Sequence, residues 1–109
     1  MLSDFLKERM QVHCNYLEEY MHNLDDLLIE KNETKRFIKI LDETSDKSLS
    51  VFSPYNNSAE NFSKIKELKS KLHVIDEDIE KYNIMIIEEK NLIEKYKKCI
   101  IEAIELEKK

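Results

Sequence analysis

The sequence predicts an all-α protein: a long antiparallel helical hairpin of coiled-coil type, assembling into a four-helix bundle. Three observations carry this. The 109-residue chain has no glycine and a single proline. Two long stretches without either residue flank a short break around that proline. Apolar residues recur at heptad spacing along both stretches, the period of a helix seam.

Composition narrows the function before any motif is considered. Without glycine there is no phosphate-binding loop, dinucleotide fingerprint or glycine-lined oxyanion loop. An enzyme of ordinary design is therefore not expected, and no cofactor is implied. The net charge of −5 argues against nucleic acid, whose phosphates need a basic face. No run approaches the 18 apolar residues of a membrane span. The start, Met1-Leu2-Ser3-Asp4-Phe5-Leu6-Lys7-Glu8, carries acids early and does not read as a signal peptide. Cys14 and Cys99, with no such signal, suggest reduced thiols in a cytoplasmic protein.

The elements follow in order. A first helix is expected over 4–43, with Ser3 as its cap and Asp4 in its first turn. Its a positions read Met10, Leu17, Leu24, Lys31, Ile38. Its d positions read Leu6, His13, Tyr20, Leu27, Thr34, Leu41. Cys14, Met21 and Leu28 add position e. Lys31 and Thr34 interrupt the seam, so either the helix weakens there or Lys31 sends its ammonium out to water.

The connection is expected over 44–58. Pro54 removes a helix hydrogen bond and disfavours helical geometry at Ser53. Leu49, Val51, Phe52 and Tyr55 are too apolar for a plain tether. They either tuck against the hairpin end, form a short β-hairpin, or present a recognition tip at Val51, Phe52 and Tyr55.

A second helix is expected over 59–108, with Asn57 and Glu60 approximating a capping box. Its a positions are Ile65, Leu72, Ile79, Ile86, Ile93, Ile100. Its d positions are Leu68, Ile75, Tyr82, Glu89, Tyr96, Ala103. From Met85 onward, position g is apolar too, through Leu92, Cys99 and Leu106. A wider stripe suits a multi-helix assembly. The whole of 1–109 reads as one helical-hairpin domain.

Two groups of residues are candidates for function. Ile84, Met85, Ile87, Leu92, Ile101 and Ile104 extend the apolar surface beyond the a/d seam and form a candidate interface. His13 and Glu89 are polar residues at d positions. If fold-back partners have numbers adding to 99–106, these two lie at one level. They make either a register-setting polar layer or a pH-responsive pair. On the first reading, Glu89→Leu stabilises the fold. Metal binding would need more ligands at fixed spacing, and no serine or cysteine has a base at useful spacing.

Two acidic, lysine-rich heptad helices around Val51-Phe52-Ser53-Pro54 resemble the N-terminal coiled-coil sensor region of DegS-type cytoplasmic histidine kinases. The resemblance covers the chain but includes neither a phospho-acceptor helix nor an ATP site. It implies a sensor-like module and assigns no residue a role. The layout is also similar to a prefoldin subunit, which implies a helical clamp for client proteins. Beside these stands the plainer expectation: an interaction module that pairs with itself as a homodimer, or with another helical protein.

Overall fold

The computed structural model describes residues 1–44 and 58–109. Two helices account for them: α1, Leu2–Thr44, and α2, Ser58–Glu107. They run antiparallel as a helical hairpin. Each boundary falls within two residues of the expected one. Val51, Phe52, Tyr55 and Asn57 lie outside the described residues.

Heptad spacing explains why the two helices pair. Every a and d position of α2 from Ile65 to Ala103 is buried or half-buried. So is every a and d position of α1 from Leu6 to Leu41. Contacting pairs fix the register: His13 meets Glu89, Tyr20 meets Tyr82, and Glu30 meets Lys71. Glu30 and Lys71 both occupy position g. This places the g positions of the two helices along one flank of the hairpin, as antiparallel pairing requires, and leaves the e positions along the other.

The chain divides into two compact units. The first is Met1–Asp25 with Glu80–Lys109. Its core is Ile86, Ile93, Ile100 and Ala103, against half-buried Leu6, Met10, Leu17 and Leu24. The second is Asp26–Ile79. Its core is Ile65, Leu68 and Ile75, against half-buried Leu27, Ile38 and Leu41. Near the connection, the side-chain amide of Asn61 donates to the Thr44 hydroxyl at 3.4 Å.

One asymmetry runs through both units. Among the described residues every buried apolar one belongs to α2, whereas the buried residues of α1 are Ser3 and Thr34. The seam of α1 is interrupted by His13, Lys31 and Thr34, and its apolar positions stay half-covered. Thr34 manages its burial locally: its hydroxyl donates to the Glu30 carbonyl one turn earlier, at 2.8 Å. Lys31 leaves the seam sideways and pairs with Asp76 at 2.7 Å. That is the outward reach expected of a lysine at a core position.

Ser3 does not cap α1. The helix begins at Leu2, and Ser3 sits buried in its first turn. Its backbone N–H donates to Glu107 Oε1 at 3.0 Å and its hydroxyl to Glu107 Oε2 at 2.6 Å. A carboxylate from α2 thus satisfies a donor at the start of α1 that local capping would otherwise serve. Negative charge there also suits the helix dipole.

Candidate functional site

In the first unit, seam geometry gathers a polar, aromatic layer. The His13 ring nitrogen Nδ1 lies 2.8 Å from Glu89 Oε2, with side chains only 15% and 16% exposed. An ionised carboxylate only accepts hydrogen bonds, so Nδ1–H of His13 is the donor. The His13 ring stacks on Tyr96 at 5.5 Å and meets Tyr16 edge-on at 5.8 Å. Tyr16 stacks on Tyr20 at 6.3 Å, and Tyr20 reaches Tyr82 at 6.1 Å. Five rings therefore form one continuous series across both helices. Burial, reinforced by the nearby Glu89 carboxylate, raises the Tyr20 hydroxyl above the usual tyrosine range. The Asn23 amide donates to the Tyr82 hydroxyl at 3.4 Å.

The six candidate interface residues do not share one face. Met85 and Leu92, at position g, are half-buried, whereas Ile84, Ile87 and Ile101 are more than half exposed. Ile104, at position e, is half-buried. Positions b and e lie on the other side of the seam from g. Met85 and Leu92 therefore lie on the opposite flank of α2 from Ile87, Ile101 and Ile104, and Ile84, at position f, lies on the face away from the seam.

On the e flank of the first unit, α1 carries a groove of about 680 Å³. Cys14, Leu17 and Met21 form its apolar floor, and Glu18, Glu19, His22 and Asp25 contribute its polar rim. Every residue lining it belongs to α1, so α2 leaves this surface uncovered. Cys14 is half-buried and Cys99, at position g, is exposed; both thiols are free.

Lateral ion pairs set the electrostatics elsewhere. The hydrogen bond from Lys31 holds the Asp76 carboxyl below the usual carboxylate range, against an opposing effect of burial. Hydrogen bonds from the Ser3 hydroxyl and backbone do the same for Glu107. Among the described residues, no group of three or more His, Cys, Asp or Glu is placed to hold a metal ion. Nor is any described helix long and apolar enough to cross a membrane.

The Ser3–Glu107 contact was not anticipated from sequence, yet one more heptad at each end would have found it. Ser3 and Glu107 both fall at position a, and antiparallel folding brings those ends together. The ring series was missed for a different reason. Tyrosines at positions d and g read as isolated rim residues until the register of the hairpin is known. No protein-family profile, curated protein or solved structure matches this chain.

Proposed function

We propose that this chain is a non-catalytic helical interaction module that works by self-association, two hairpins forming a four-helix assembly. One observation carries the reading: α1 contributes no buried apolar residue, although its seam and e positions are rich in Leu and Met. A single partner helix leaves that surface half wet. Met21, Leu28, Ile84 and Ile87 remain exposed beside it. Covering such surface is favourable by roughly 25 cal/mol per Å² before the costs of association and ordering. Sedimentation equilibrium at micromolar concentration tests the reading. A helical dimer is the expected species, and a folded monomer throughout the range overturns it.

A second reading, a regulatory or sensor coiled coil, is favoured by the His13–Glu89 pair and its tyrosine surroundings. Polar contacts of this kind in a helical seam specify register, and a module that shifts register transmits a signal. The two readings are compatible when the dimer is the signalling unit. Site-specific crosslinking across the α1–α2 seam, with and without a partner protein, detects such a shift as a change in which cysteine pairs react.

A further inference from the structure

We propose that the e flank of the second unit binds a short acidic segment of another protein, one aliphatic side chain of that segment seating beside Phe62. This surface lies wholly within the second unit and is independent of self-association.

Heptad positions build the flank. On α1, Lys35 falls at e and Lys39 at b, one turn apart. On α2, Phe62 and Lys69 fall at e and Lys66 at b, so all three lie on one stripe. Glu30 meets Lys71 on the g flank, which puts the e and b positions of both helices on the other side. The Asp76 carboxyl, at e, is lowered chiefly by its hydrogen bond from Lys31 and also feels the charges of Lys35 and His73, which share its side. With Glu30 and Lys71 level, Lys35 stands opposite Lys66, and Lys39 opposite Phe62. Four lysines therefore gather within about two helical turns, roughly 10 Å along the hairpin.

Their charge is unspent. On the g flank, Lys64 pairs with Glu67 at 3.6 Å and Lys71 with Glu30 at 3.3 Å. Lys35, Lys39, Lys66 and Lys69 are exposed and enter no ion pair among the described residues. Like charges one turn apart disfavour a helix, so an anion here relieves repulsion as well as forming pairs. Phe62 stands among them, 73% exposed. With Ile65 and the stems of Lys66 and Lys69 it lines a hollow of about 240 Å³, apolar where the lysine chains run along it.

The patch is short, and that selects the partner. Asp42 follows Lys39 within a turn, and Asp76 lies two turns beyond Lys69, both at position e. A nucleic-acid strand or a bilayer surface extends past the lysines and meets those acids. Three or four extended peptide residues, at about 3.3 Å each, fit between them. Carboxylates answer the ammonium groups, and an aliphatic side chain answers Phe62 and the hollow, which a free anion cannot do.

Fluorescence anisotropy of the full chain tests this with two fluorescein-labelled peptides, Glu-Glu-Leu-Glu-Glu and Glu-Glu-Ser-Glu-Glu. The leucine peptide should bind about fivefold more tightly, and both should weaken as salt rises. Lys35→Gln with Lys66→Gln should cost about tenfold. Lys64→Gln with Lys71→Gln, the same change in net charge on the g flank, should not. Phe62→Ala should erase the preference for leucine. Circular dichroism checks that each variant is helical. No binding at millimolar peptide in low salt overturns the proposal, as does an equal loss in the two lysine pairs. Tighter binding to a single-stranded oligonucleotide or to phosphatidylserine vesicles than to the leucine peptide overturns it too. So does loss of self-association in Lys35→Gln with Lys66→Gln, which would give the flank to a second copy. The comparison of the two peptides uses the unmodified sequence, so it decides even if a substitution unfolds the chain.

Discussion

Glu107 grips Ser3 twice, through its backbone N–H at 3.0 Å and its hydroxyl at 2.6 Å. The contact ties the last turn of α2 to the first turn of α1. Ser3→Ala removes the hydroxyl bond but keeps the backbone one. The expected loss is about 1 kcal/mol, typical of one hydrogen bond. Faster amide hydrogen exchange in the first turn of α1, with little change at the connection end, checks it.

The same contact has a pH signature. Glu107 and Asp76 both ionise below the usual carboxylate range in the folded chain, through Ser3 and Lys31 respectively. A lowered folded value means the ionised form stabilises the fold. That contribution is complete above the unfolded carboxylate range and is lost as pH falls through the folded value. Thermal melts from pH 7 down to pH 2 should therefore show acid destabilisation. Glu107→Gln and Asp76→Asn should each flatten the slope. An unchanged acid slope in both variants contradicts the assignment.

Glu89→Leu now carries the opposite expectation to the one its heptad position suggests. At d, between Ile86 and Ile93, a leucine looks like an improvement. The 2.8 Å contact with His13 changes this, because the substitution strips a largely buried imidazole of its partner. Removing one member of such a pair destabilises, whereas replacing both by apolar residues is neutral or better. Glu89→Leu should therefore cost about 1–2 kcal/mol, and His13→Leu with Glu89→Leu should recover it. Chemical denaturation of the two singles and the double closes the cycle.

Periodicity was enough to read the two helices and the seam, because a and d spacing on each admits one buried stripe, and the break around Pro54, long enough to reverse the chain, supplied the antiparallel pairing. His13 and Glu89 could be set at one level for the same reason. Three features were not legible. Lys31 finds Asp76 at position e, a choice made by side-chain reach that no heptad records. The tyrosine ring series depends on inter-helix register to within a residue. The bare face of α1 has a subtler origin. Leu17 and Leu24 look as core-like as Ile86 and Ile93, and only the placement of α2 shows which side of the seam is covered.

That difference gives the last prediction. Ile93 is buried in the first unit, so Ile93→Ala leaves a cavity and should cost about 2–4 kcal/mol at any protein concentration. Leu17, half-buried and lining the open groove, behaves differently. In a single hairpin it has less to lose, and Leu17→Ala should cost about 1 kcal/mol. If a second copy fills the groove, Leu17 becomes an interior residue of the dimer. The penalty then grows with concentration, because it includes lost association. Denaturation of both variants at nanomolar and at high micromolar concentration separates the cases. A Leu17→Ala penalty that rises with concentration, beside an Ile93→Ala penalty that is the same at both, supports a groove filled by a second copy. A Leu17→Ala penalty that stays at its smaller value at both concentrations would mean that the groove stays open to water.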